Sequence, residues 1–305
     1  QGVSSAASDV YKRQKSTLSS AVIGLLPPNG RITGGAIRLG DRDVTALDAA
    51  AMRELRGPEV AMIFQDPLSS LNPVFTIWTQ IRDALRAHAQ GAFDATAARA
   101  RAAQTLAELG IPDADRRLDD YPHQFSGGMR QRIMIAMALL LEPSLLIADE
   151  PTSALDATLQ AQIVAIIARI RRERETAVLF VTHDLALVSN LCDRVAVMYC
   201  GSVVESGPVA AVFRDPVHPY TRALIASVPS RHEHVERLTT IPGQVPSLSA
   251  LPAGCAFAAR CAVARPTCSA VAPPAREQDG RIVRCHAGDP ASPYRSETGS
   301  PEAAA

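Results

Sequence analysis

Apolar residues fall into two rhythms along this chain. Four short runs are almost continuously apolar: EVAMIF (59–64), SLLIA (144–148), AVLFVT (177–182) and RVAVMYC (194–200). Runs of this length, bounded by turn or helix signals, predict buried parallel strands, which are apolar on both faces. Between them lie longer stretches with helical character, TAARARAAQTLAELG, SGGMRQRIMIAMALLLEP and DATLQAQIVAIIARIRRERE. Ser126 stands as a candidate N-cap of the second, and Pro143 falls just past its end. Strands alternating with helices predict an α/β domain with a mostly parallel sheet. The piece from about 67 to 140 is mainly helical and interrupts the alternation, which predicts a helical subdomain inserted in the α/β core. From about residue 230 the texture turns to Pro, Gly and Cys, with IPGQVPSLSALPAG as a linker. The last residues, 288–305, read as a disordered tail.

Composition narrows the classes. A chain of 305 residues, 47% hydrophobic, has room for one large domain and a small one. Its 31 basic residues balance 31 acidic ones, which argues against a nucleic-acid partner gripped through a broad phosphate surface. The longest apolar runs fall far short of the roughly 20 residues that span a bilayer. The start shows no basic stretch followed by an apolar one, so no secretion signal is read there. The expectation is a soluble intracellular protein that can sit on a membrane partner.

Chemistry gathers at the strand ends. In open α/β sheets, ligands bind outside the carboxyl ends of the strands. EVAMIF ends in Gln65, SLLIA in Asp149-Glu150, and AVLFVT in His183-Asp184. Taken singly, each is better read as a cap or a loop residue. Together they suit phosphoryl transfer to water, with one acid on the Mg²⁺ side and a second carboxylate to orient and deprotonate the water. A Gln can contact metal and water, and a His can bond the transferred group. Near the start, Lys15-Ser16-Thr17 precedes a helical run, as at the end of the phosphate loop G-x-x-x-x-G-K-[ST]; its glycine positions, however, hold Asp9 and Gln14.

These residues resemble the ATP-binding subunits of ABC transporters over roughly residues 15 to 228. LLIADEP is similar to the Walker B segment, FSGGMRQR (125–132) to the signature, SALD (153–156) to the D-loop, FQDP (64–67) to the Q-loop, and VTHDL (181–185) to the switch-histidine segment. The resemblance implies a P-loop NTPase-like fold and an ATPase. It makes Glu150 the catalytic glutamate, aided by His183 and Gln65, and gives Lys15, Ser16, Thr17, Gln65, Asp149 and His183 to ATP. Ser16, Gln65 and Asp149 would hold Mg²⁺. Ser126, Gly127, Gly128 and Met129 would contact ATP held by a second subunit, with Asp156 in the D-loop; Met129 stands where Gln is commoner. The family pattern G-x-S-G-S-G-K-S-T meets Asp9, Lys12 and Gln14 at its glycine positions, so residues 1–14 are expected to be non-native and the ATP-binding domain to cover 15–229.

Finer features resemble the oligopeptide, dipeptide and nickel importer branch: MIFQDPLSSLNPVFTI, DPVHPYTRALIASVP (215–229), IPGQVPSL, PAGCAFAARC and VRCH. They imply an importer-type extension over 230–287. The implied partners are a second ATPase subunit in a heterodimer, two membrane permeases and an extracytoplasmic substrate-binding protein. The implied location is peripheral, on the cytoplasmic face of the inner membrane. Cys192 and Cys200 read as ordinary buried thiols, whereas Cys255, Cys261, Cys268 and Cys285 follow the spacing C-x5-C-x6-C-x16-C, without the tight pairs of zinc fingers. The branch includes relatives thought to carry an iron–sulfur cluster there, which leaves a cluster, zinc or unligated thiols open. Two other classes share part of the pattern. One is a soluble ABC ATPase of DNA repair or translation, and the other a non-catalytic metal- or redox-sensing subunit.

Overall fold

The computed structural model describes residues 14–66, 70–89, 91–153, 155–174, 176–228 and 240–288. The expectations for residues 1–13 and for the tail beyond 288 therefore lie outside the described residues. By its contacts the chain divides between His183 and Asp184.

In the Lys15–His183 unit, the first three apolar runs form the expected parallel strands, β3 (Val60–Ile63), β4 (Leu145–Asp149) and β5 (Ala177–Val181), in the order β3-β4-β5. Val60 pairs with Leu145, and Leu145 in turn with Ala177, so all three strands run in step toward one rim. Central β4 is apolar up to its last residue, Asp149, because it is covered on both faces: Leu146, Ile147 and Ala148 are fully buried. Ile23, just past helix α1 (residues 14–22), and Met52 and Leu55 of α2 (Ala49–Leu55) pack in one cluster with Val60 and Ile147. A small antiparallel hairpin, β1 (Arg38–Leu39) with β2 (Arg42–Asp43), adds Leu39 to that cluster.

The interruption is helical as expected: α3 (Ile77–Ala87), α4 (Ala95–Glu108) and the single turn α5 (Ala114–Arg117) precede α6 (Gly127–Leu139). Thr76 and Asp94 cap the first two by accepting backbone N–H groups. Helix α6 is buried along much of its length, with Ile133, Ile135 and Leu139 shielded from water, and it packs on β3. Helix α7 (Ala157–Glu173) returns the chain from β4 to β5.

The fourth run departs from expectation. RVAVMYC forms β6 (Arg194–Tyr199), which pairs antiparallel with β7 (Ser202–Pro208) in a separate four-stranded sheet, β6-β7-β9-β8. The two connecting residues, Cys200 and Gly201, both have positive φ, 46° and 79°. That is the two-residue hairpin geometry that folds a strand straight back. Cys200 is buried as expected, while Cys192 is half-buried.

The Cys-rich extension supplies the rest of this sheet. Arg276–Gln278 (β8) and Arg281–Val283 (β9) form a hairpin across Asp279-Gly280, again at positive φ, and Val283 pairs with Glu205 of β7. An aromatic knot closes the core: Tyr199, Tyr220 and Phe257 stand with ring centroids 4.6–5.4 Å apart. The proline-rich linker is pinned to this unit, since Ile241 packs on the core and the Arg260 guanidinium donates to the carbonyls of Ile241 and Pro242.

Candidate active site

The three parallel strands deliver their polar ends to one rim. Strand β4 ends at Asp149, and Glu150 follows with φ of +46°, a left-handed turn that is uncommon for a non-glycine residue. The Glu150 N–H stays in the ladder by donating to the Val181 carbonyl at 2.9 Å. Its carboxylate is held at both oxygens. Gln65 Nε2 donates to Oε2 at 3.1 Å, and His183 Nδ1 lies 3.2 Å from Oε1. Residues 65, 150 and 183, more than thirty positions apart in sequence, thus meet in one hydrogen-bonded set. Glu150 is buried at 8% side-chain exposure while His183 is 66% exposed, so the pair spans the boundary between protein and solvent.

Asp149 and Lys15 form the second half of the site. Burial pushes the Asp149 carboxyl above its usual range, aided by the neighbouring Glu150 charge and opposed by the Ser16 hydrogen bond and by Lys15. Burial likewise lowers Lys15, while Glu150 and Asp149 resist that shift. Lys15 Nζ donates to the Thr182 carbonyl at 2.8 Å, one residue before His183. Among the described residues, Asp149 Oδ1 is buried without a hydrogen-bond partner. A buried, unpartnered carboxylate oxygen beside a serine hydroxyl is a hard-oxygen donor set of the kind Mg²⁺ takes, completed by phosphate and water. The residues present fit that ion. Thr17 lies exposed on α1, one residue beyond Ser16.

The signature residues do something different. Ser126 caps α6, its hydroxyl accepting the Met129 N–H at 3.4 Å. The two glycines divide their work: a Cβ on Gly128 would lie 2.9 Å from Leu159 Cδ1, whereas a Cβ on Gly127 would meet nothing within 4 Å. One glycine allows helix packing and the other leaves the helix start open. Asp156 accepts the Leu159 N–H at 2.9 Å as the cap of α7. None of the hydrogen bonds described here joins Ser126, Gly127, Gly128, Met129 or Asp156 to the Glu150 set.

Sequence reasoning gave no role to Ser153 or Thr182. Ser153 Oγ lies 3.4 Å from Gln65 Nε2, and Thr182 acts through its carbonyl, for which a sequence carries no signal.

Comparison with known proteins decides the family. Residues 15–153 match the family described as ABC transporter, and residues 204–268 match the one described as "Oligopeptide/dipeptide transporter, C-terminal region". A Brucella abortus (strain 2308) protein named "Putative peptide import ATP-binding protein" is 46% identical, over 84% of this chain and 76% of its own length. The chain belongs to the ABC transporter ATPases. A Brucella melitensis biotype 1 relative with the same description is 48% identical over 85% of this chain and 80% of its own. Solved ABC cassettes share the fold. A dimeric post-hydrolysis state of the cassette MJ0796 bound to ADP and Pi aligns with TM-score 0.55 and 25% identity, over 63% of this chain and 80% of that one. Clostridium perfringens cbiO1, part of the transporter complex cbiONQ, aligns with TM-score 0.55 and 27% identity, over 66% and 75%. The fold is therefore the P-loop NTPase-like α/β fold read from the sequence. Membership in this family carries ATP and Mg²⁺ as ligands and a dimer with membrane permeases as the setting. Among the described residues, no helix is long and apolar enough to cross a membrane.

The four late cysteines, in the unit from Asp184 onward, converge as well. Cys255, Cys261, Cys268 and Cys285 line one cavity of about 30 Å³ together with His218 and His286. Burial pushes the Cys255 and Cys261 thiols up, and Cys285 up to about 11, with the other thiols adding to the rise. Among the described residues, no group of three or more His, Cys, Asp or Glu side chains is spaced to hold a metal ion. Of the readings the sequence leaves open, an iron–sulfur or zinc cage is thus not formed by the thiols where they stand.

Proposed function

We propose that this ATPase powers import of oligopeptides, dipeptides or a related small solute. In this reading Glu150 is the base that takes a proton from the attacking water, and the observation that carries it is the grip on its carboxylate by Gln65 and His183. Lys15 leaves the Thr182 carbonyl to reach the β/γ-phosphates. Ser16, Gln65 and Asp149 hold Mg²⁺, which neutralises phosphate charge when bound. His183, exposed beside Glu150, bonds the transferred phosphoryl group. The open start of α6 at Ser126, Gly127, Gly128 and Met129 takes the ATP of a second subunit, where free N–H groups and the helix dipole favour an anion; Asp156 adds the D-loop contact. Thr17 completes the lysine-serine-threonine run.

The peptide-import reading is supported by the carboxyl-terminal match over 204–268 and by the names of the Brucella relatives. It carries with it the ATP-binding domain over 15–229, the extension over 230–287, a second ATPase subunit in a heterodimer and two permeases. A substrate-binding protein outside the membrane and a seat on the cytoplasmic face of the inner membrane complete it. The test is Glu150→Gln in the assembled transporter. ATP should remain bound while hydrolysis falls at least about a hundredfold, the usual size of a general-base contribution. Undiminished hydrolysis would remove Glu150 from its role.

The cavity shared by four cysteines supports a second reading, a zinc or iron–sulfur site on Cys255, Cys261, Cys268 and Cys285. Binding would require the thiols to shift and to release protons. Anaerobic purification followed by iron, sulfide and zinc analysis should find stoichiometric metal; folded, metal-free protein would refute the site.

A further inference from the structure

Ser153 stands three residues beyond Glu150 and ties two parts of the site together. Its backbone N–H and its hydroxyl both donate to the Glu150 carbonyl, each at 3.2 Å, which closes the turn around the left-handed residue. The same hydroxyl accepts Gln65 Nε2 at 3.4 Å, and that nitrogen also donates to Glu150 Oε2 at 3.1 Å. The result is a closed ring: Glu150 carbonyl, Ser153 hydroxyl, Gln65 amide, Glu150 carboxylate.

The ring dictates which way round the amide lies. An ionised carboxylate only accepts hydrogen bonds, and the serine proton is committed to the carbonyl, so the hydroxyl offers Gln65 a lone pair. Both partners therefore demand the NH₂ end. The oxygen Oε1 is left over, and it is the only end of the amide that can ligate a hard cation. With the carboxylate alone as partner the amide keeps one anchor; with Ser153 it has two, and rotation about its terminal bond breaks both.

We propose that Ser153 is a positioning residue that fixes the Gln65 amide with its oxygen available to Mg²⁺. The assignment rests on the reading of Gln65 as a magnesium-side residue. Both Gln65 and Ser153 are exposed, so replacing the serine leaves the core untouched.

The experiment uses the full chain saturated with a non-hydrolysable ATP analogue and titrated with Mg²⁺ in a calorimeter, alongside hydrolysis by the assembled transporter. Ser153→Ala should weaken Mg²⁺ binding about threefold to tenfold, the worth of one lost hydrogen bond. It should lower kcat while leaving KM for ATP within about twofold, because the nucleotide's own contacts are untouched. Ser153→Thr, which keeps the hydroxyl, should restore both. In a Gln65→Ala background, Ser153→Ala should add nothing, since its effect passes through the amide. Unchanged Mg²⁺ affinity in Ser153→Ala, or an equal further loss on top of Gln65→Ala, overturns the assignment. Glu150→Gln run in parallel separates the two claims. An inactive Glu150→Gln with a Ser153→Ala that binds Mg²⁺ normally leaves the ATPase reading standing and removes only Ser153; undiminished hydrolysis in Glu150→Gln removes Glu150 from its role, and unchanged Mg²⁺ affinity in Gln65→Ala removes the magnesium reading on which Ser153 rests.

Discussion

The two units of the chain each bury a carboxylate and treat it in opposite ways. Glu205, 0% exposed in β7, is fully provided for: it accepts the backbone N–H groups of Val217 and His218 at 3.0 Å each and the Arg281 guanidinium at 2.7 Å. Asp149, 3% exposed at the end of β4, keeps Oδ1 buried without a partner among the described residues. Burying an anion is costly unless every lone pair finds a donor. Glu205 meets that condition and fastens three segments, β7, the 217–218 turn and β9. Asp149 does not meet it, and its carboxyl is pushed upward as a result. The difference separates a carboxylate that holds a fold together from one held ready for a ligand.

Removing Glu205 is the strongest way to break that contrast. Glu205→Ala leaves Arg281 in a largely buried place without its counter-charge and strips two N–H groups of their acceptor. It should destabilise the Asp184-onward unit by about 3–5 kcal/mol. Hydrogen exchange of the β7 and β9 amides would register the loss, and unchanged protection there would contradict the structural role.

The next effect is a pH dependence at His218, which lies against Glu205 and shares its cavity with His286 and the four thiols. Burial pulls His218 down from 6.5 to about 4, although the Glu205 charge opposes the shift. Its Nδ1 accepts the Tyr220 N–H at 3.0 Å, a task only the neutral ring can perform. The unfolded chain therefore takes up a proton near pH 6.5, and the folded chain only near pH 4. Stability from this group is complete above about 6.5 and is lost as pH falls toward 4, by about 3 kcal/mol in all. His218→Asn, which keeps an acceptor for the cap, should flatten that part of the stability profile in chelator-treated protein. An unaltered slope would rule the group out.

The smallest effect sharpens the division between the signature glycines. Gly128→Ala presses a methyl against Leu159 and should cost about 1–3 kcal/mol in thermal unfolding, whereas Gly127→Ala, with open space around it, should cost less. Equal losses at the two positions would refute the division.

Much of the active-site rim was legible because polar residues directly after apolar strands are conspicuous. Gln65, Asp149, Glu150 and His183 could be assigned to strand ends without knowledge of the fold. The strand RVAVMYC could not be oriented the same way. A continuous apolar run is equally compatible with parallel and antiparallel pairing, and the deciding signal was the Cys200-Gly201 turn. The Asp279-Gly280 hairpin was hidden for the opposite reason, because REQ before it is too polar and too short to look like a strand. Partnerships that run through carbonyls, such as Lys15 with Thr182 and Ser153 with Glu150, leave no trace in residue identity at all.

The pairing of β9 with β7 also has a consequence for biosynthesis. Glu205 cannot meet Val283 or Arg281 until those late residues have left the ribosome. The parallel-sheet unit, complete at His183, is synthesised 283 − 183 = 100 residues earlier. At about 5–20 residues per second, that is a head start of about 5–20 s. Once synthesised, β7 pairs with β6 on one side, and its other edge stays open until β9 emerges; premature termination anywhere before residue 281 would leave that edge permanently open.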